Sequence, residues 1–100
     1  MFLIKTTLPI SFREFEVTSF AQSIVESGAA CVQHREVSST YSWDGKLNHE
    51  KEWLLEIKVS EKNKESVQEV IINLHPYDVP EILILKVEAN QEYLDWVNSH

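Results

Sequence analysis

The apolar positions along this chain change period several times, and each change marks an element. Val67, Val70, Ile71 and Leu74 recur at i, i+3, i+4 and i+7, the stripe of an amphipathic helix, which predicts a helix over Glu61 to Leu74. Trp53, Leu55, Ile57 and Val59 instead alternate with Leu54, Glu56 and Lys58, the period of a strand with one apolar face. Phe2 to Thr7 is short and rich in β-formers and reads as a first strand. Ser11, with Glu14 three residues on, has the form of a capping box. Ile10 and Phe15 are spaced as the hydrophobic staple that accompanies it. Val17, Phe20, Ala21 and Ile24 carry the helix onward along one face, and Gly28 is placed to end it. Ile82-Leu83-Ile84-Leu85 is an apolar run suited to a buried strand, predicted over Ile82 to Val87. Asn90 stands as the cap of a short last helix carrying Tyr93, Leu94, Trp96 and Val97.

Between the first two helices, Ala29 to Trp43 and Leu47 to Ser60 read as two strands joined by Asp44-Gly45, the preferred filling of a type I′ hairpin turn. The predicted order is βαββαβ followed by a helix. Right-handed crossovers place the two main helices on one face of an antiparallel sheet, an α+β arrangement. The hairpin is overlong for such a small domain. Thirteen residues span roughly 43 Å, whereas a compact 100-residue domain has a radius of gyration of about 13 Å. Its tip, with Tyr41, Trp43 and Leu47, overhangs the subunit, and this predicts association independently of any other argument.

The connection His75-Pro76-Tyr77-Asp78-Val79-Pro80-Glu81 holds two of the three prolines. Pro76 biases His75 away from helical geometry, so the second helix should stop there, and Pro80 stiffens the entry to the last strand. A rigid loop presenting an imidazole, a phenol and two carboxylates is a natural place for function. Together with Ala29-Ala30-Cys31, Tyr41-Ser42-Trp43-Asp44-Gly45-Lys46, Ile57-Lys58 and Tyr93-Leu94-Asp95-Trp96, this heptad resembles the divalent-cation tolerance (CutA) proteins, over nearly the whole chain. The resemblance implies a ferredoxin-like sandwich, a PII-like homotrimer and a link to metal homeostasis. It does not imply a reaction.

Composition narrows the function. The formal net charge is −7, and the nine Lys and Arg residues are scattered. Phosphate backbones are held by Lys and Arg, so a nucleic-acid partner is not expected. An acidic surface concentrates cations instead. The single cysteine, Cys31, excludes an intrachain disulfide and suits a reducing compartment. It is expected to pack as a small hydrophobe. No basic n-region precedes a long apolar run, and no apolar segment reaches spanning length. The expectation is a single domain over 1–100, cytoplasmic and without a membrane partner.

Four histidines, His34, His49, His75 and His100, show no metal-ligand spacing such as HxxxH. Three read as surface imidazoles. His75 differs: close to Glu81, it forms a candidate site for Cu(II) or Zn(II), or else it bonds a free carbonyl at the end of its helix. By the resemblance, copper-binding members use a thiol at the end of the first strand and a His pair before the proline. Here those positions are Thr6 and Leu74, and only His75 remains, so any divalent cation should bind weakly and none is required. The aromatic set belongs to core and interface, or forms an intersubunit cleft in which Tyr41, Trp43, Lys58, Tyr77 and Glu81 surround a small ligand. Lys58 calls for a carboxylate partner, with Glu50, Glu52 and Glu56 as candidates from another subunit. No nucleophile elbow, Gly-rich phosphate loop or Cys-His pair is present, and no enzyme is expected. The alternative is a PII-like signalling or adaptor trimer without metal.

Overall fold

The computed structural model describes all residues, Met1–His100. Strand β1 (Phe2–Pro9) leads into helix α1 (Glu14–Glu26), followed by β2 (Cys31–Trp43) and β3 (Lys46–Val59). A short 3-10 turn, Glu61–Asn63, opens helix α2 (Lys64–Leu74); β4 (Leu83–Lys86) and helix α3 (Gln91–Asn98) complete the chain. The sheet order is β2-β3-β1-β4 with every neighbouring pair antiparallel. Each helix therefore connects two parallel strands with a third between them, the interleaved βαβ pairs of a ferredoxin-like fold.

One parity of each strand faces the helices. Ile4, Leu8, Leu55, Ile57 and Val59 are fully buried against Val17, Phe20, Ile24, Val67 and Ile71. Trp53 joins this layer and donates its indole N–H to the Phe12 carbonyl at 2.9 Å. The alternation from Trp53 to Val59 is thus the signature of a sheet covered on one side. The opposite face carries Leu3, Leu54 and Leu83 beside Lys5, Arg35 and Glu56, and it lies away from the core that α1 and α2 cover.

The helix ends follow the sequence with one displacement. Ser11 and Glu14 do not form the expected capping box. Residues 9–12 make a tight turn closed by Phe12 N–H to the Pro9 carbonyl at 3.0 Å, which delays the helix by two residues. Arg13 takes the cap position, and its N–H donates to the Glu16 carboxylate at 3.0 Å. Phe15 is consequently 66% exposed and no staple forms, while Phe12 packs on the core instead. Gly28 ends α1 as expected, with φ of +120°. Its N–H reaches the Val25 carbonyl at 3.0 Å and Ala29 N–H the Ile24 carbonyl at 3.3 Å, the paired bonds of a Schellman motif.

Two further expectations are corrected. β4 is not buried: it is an edge strand whose four residues are all exposed, Leu83 by 50%. Its apolar run pairs only with β1, and no second strand closes its outer side. Cys31 is only partly buried and free, because its position opposite Lys58 puts it on the sheet face turned away from α1 and α2. The hairpin matches its prediction closely. Asp44 and Gly45 have φ of 52° and 73°, both positive as a type I′ turn requires. The molecule measures 44 × 25 × 21 Å, its long axis close to the length estimated for the hairpin.

Candidate functional site

β1 pairs with β3 only from Glu52 to Val59. Beyond Glu52 the hairpin projects alone, and the 75–81 connection lies against its base. Between them is an open cavity of about 900 Å³ lined by Tyr41, Trp43, Glu52, Tyr77, Asp78 and Glu81, with Ser39, Thr40, Pro76 and Val79 completing the wall. Three of the four residues expected in a cleft, Tyr41, Trp43 and Tyr77, therefore meet here, and so does Glu81. The fourth does not. Lys58 shares the face of Tyr41 but lies six residues beyond Glu52, roughly 20 Å along β3. Its ammonium donates to the Gln33 side-chain carbonyl, not to a carboxylate.

The loop is tied down by His75, which is buried. Its Nε2 lies 2.7 Å from the Thr7 carbonyl oxygen, and its Nδ1 accepts from the Tyr77 backbone N–H at 3.1 Å. A carbonyl can only accept, so Nε2 carries the proton and the ring is the neutral Nε2–H tautomer. The Phe20 ring meets it edge-on at 6.2 Å. Burial pushes the His75 pKa below its ordinary value, opposed in part by the bond to Thr7. The carbonyl it holds belongs to β1, not to its own helix. With both nitrogens engaged, the imidazole offers no free lone pair in this arrangement. Thr6 is fully buried and Leu74 exposed, and neither lines the cavity. No group of three His, Cys, Asp or Glu comes together anywhere in the chain.

The electrostatics of the cavity are negative. The Tyr41 hydroxyl donates to the Glu50 carboxylate at 2.9 Å, and this bond, followed by desolvation and the charges of Glu50 and Glu52, raises its pKa. Burial raises that of Tyr77, aided by Glu52 and Glu50. Both phenols stay protonated at neutral pH. The other histidines lie elsewhere: His34 meets Trp53 edge-on at 5.9 Å, His49 bonds the Thr40 hydroxyl at 3.2 Å, and His100 the Trp96 carbonyl at 2.8 Å.

From the sequence, Glu52 is expected only as an ion-pair partner for Lys58 and Asp78 only as a carboxylate of the loop; the structure adds both to the cavity wall. The signal for Glu52 is the two-residue turn: it sets Tyr41 opposite Asn48 and Val37 opposite Glu52, which puts Glu52 on the aromatic face of the hairpin.

A four-stranded antiparallel sheet covered on one side by two helices, with an overhanging hairpin and a loop-bounded cavity at its base, defines a ferredoxin-like α+β protein of the PII-like kind. Residues 4–100 match the family model for the CutA1 divalent ion tolerance protein, and the chain belongs to that family. The divalent-cation tolerance protein CutA of Thermotoga maritima is 32% identical over 101 residues, covering 99% of this chain and 97% of the relative. Among solved structures, the apo PII-like protein CutA from Nostoc sp. PCC 7120 superposes with a TM-score of 0.84 at 35% identity, covering 97% of this chain and 93% of its own. CutA from Archaeoglobus fulgidus, described as periplasmic, superposes with a TM-score of 0.86 at 26% identity over 99% and 97% of the two chains. No helix of this protein is long and apolar enough to cross a membrane.

Proposed function

We propose that the protein is a homotrimeric divalent-cation tolerance protein that binds a small ligand or a divalent cation in clefts where subunits meet, and catalyses no reaction. The observation that carries this reading is the overhang. From Glu52 to the turn, the hairpin extends about 26 Å past the last residue paired with β1, and Trp43 and Leu47 at its tip are 68% and 70% exposed. Trp43 pairs with Lys46 and Leu47 with Ser42, so each face of the overhanging tip carries a large apolar side chain that a partner would cover. A neighbouring subunit over the tip turns the open cavity into an enclosed cleft. The exposed apolar run of β4 and the sheet face turned away from the helices supply further contact area.

For a divalent cation, Glu81 supplies a carboxylate at the cavity wall. His75 joins it only by releasing Thr7 or Tyr77, so Cu(II) or Zn(II) binds weakly and is not required for folding. The unpaired thiol fits a cytoplasmic location. Light scattering at micromolar concentration tests the assembly: the mass of three chains is expected, and a stable monomer refutes the trimer. Titration calorimetry with Cu(II) tests the metal, and submicromolar affinity contradicts the weak site. The PII-like description of the Nostoc relative favours a second reading, a signalling trimer working through protein contacts without metal. Thermal shift against metals and nucleotides separates the two, because each binder raises the melting temperature according to its concentration over Kd.

A further inference from the structure

The wall of the cavity is chemically one-sided. Tyr41, Trp43 and Tyr77 alternate around it with Glu52, Asp78 and Glu81, and no Lys, Arg or His takes part. None of these three carboxylates has a cationic partner: both ion pairs of the chain end on Glu56, from Lys5 and Arg35. Glu50 stands behind Tyr41 and adds a fourth negative charge. The raised pKa values of Tyr41 and Tyr77 register the same field.

A bare divalent cation needs several oxygens converging within about 2.0–2.6 Å of one point, and no three such donors come together. The space, about 900 Å³, is instead on the scale of sites for small organic molecules, roughly 300–1,000 Å³. Dispersed carboxylates separated by aromatic faces suit a cation with an apolar body. The rings attract its charge through their negative faces, and the carboxylates act on it without direct coordination. We propose that this cleft recognises a small organic ammonium ligand, its charge held between Tyr41, Tyr77, Glu52 and Glu81 and its apolar part against Trp43 and Val79. The proposal rests on the cleft reading above and names the ligand class.

Three probes of one shape test it on the full-length ¹⁵N-labelled protein: benzylammonium, benzyl alcohol and benzoate. The readout is the indole N–H resonance of Trp43, assigned by its loss in Trp43→Phe. Benzylammonium should shift this resonance saturably and bind at least about tenfold more tightly than benzyl alcohol, a difference of about 1.4 kcal/mol. Benzoate should not bind. Glu52→Gln should weaken benzylammonium several-fold, and so should raising the salt from roughly 0.05 to 0.5 M, which screens the carboxylates. If benzyl alcohol or benzoate binds as well as the cation, the cavity is a ligand site but the ammonium assignment is wrong. The same holds if Glu52→Gln leaves the affinity unchanged. If no probe shifts Trp43, the ammonium proposal and the cleft reading both fall.

Discussion

Thr6 offers a sharp test of how the core is held together. Its side chain has 0% exposure and points into the helix-covered layer at a position opposite Leu55. Its hydroxyl finds no hydrogen-bond partner. An orphaned buried hydroxyl costs about 1–3 kcal/mol of desolvation, whereas valine has nearly the same shape and no such group. Thr6→Val should therefore stabilise the fold by about 1 kcal/mol, taking the low end because a strand hydroxyl relaxes partly. For a domain of this size that raises Tm by about 4–8 °C. Thr6→Ser keeps the hydroxyl and deletes the methyl, and should cost about 1 kcal/mol through lost burial and the small void left behind. Urea unfolding at one fixed protein concentration measures both, since dissociation and unfolding are linked in an associating protein. If Thr6→Val is less stable than the parent by more than about 0.5 kcal/mol, the hydroxyl has a partner, such as an internal water, and the reasoning fails.

Three further outcomes are expected. Because burial holds the folded His75 pKa below the unfolded value of about 6.5, the unfolded chain takes up this proton first; the stability from neutral His75 is complete above about pH 6.5 and is lost as the pH falls toward the folded pKa. His75→Gln should make the urea midpoint less steep between pH 7 and 5, and an unchanged slope disproves the assignment. Gly28→Ala should destabilise more than Gly45→Ala, since a Cβ at Gly28 meets the Asn63 side chain at 2.9 Å while Gly45 faces open space; equal losses in thermal melts would show that backbone strain alone governs both. Cys31→Ser should leave Cu(II) binding by calorimetry unchanged, because the thiol lies on the sheet face turned away from α1 and α2, at the far end of β2 from the cavity; loss of binding would relocate the metal site.

Most of the architecture was legible from local signals. The period changes located every strand and helix, Asp44-Gly45 fixed the turn, and Gly28 marked a helix end whose bonds match. The misses have separate physical causes. The helix start moved from Ser11 to Arg13 because a turn at Pro9 competed with the capping box. β4 looked buried because an apolar run reports only that its surface is hidden from water somewhere, and within one subunit it is not. Lys58 was drawn into the cleft by sharing a face with Tyr41, since alternation gives the face of a residue but not its distance along the strand. The Thr7 carbonyl that secures His75 lies 68 residues away in sequence, and no local pattern encodes such a contact. Asp78 lies inside the His75–Glu81 loop, yet only the tertiary fold shows that it lines the cavity with the hairpin.

The unsupported length of the hairpin also constrains how this gene can change. Beyond Glu52, β2 and β3 have only each other and the turn to set their alignment. A one-codon insertion or deletion in either distal arm would leave the core register untouched and reverse the distal faces of the altered arm. In β3 it would exchange Glu50 for its neighbours His49 or Lys51; in β2 it would turn Tyr41 and Trp43 away from the loop. The domain would still fold while the chemistry of its cavity changed. Length in this arm should therefore drift only in steps of two residues, even where the amino acids themselves vary freely.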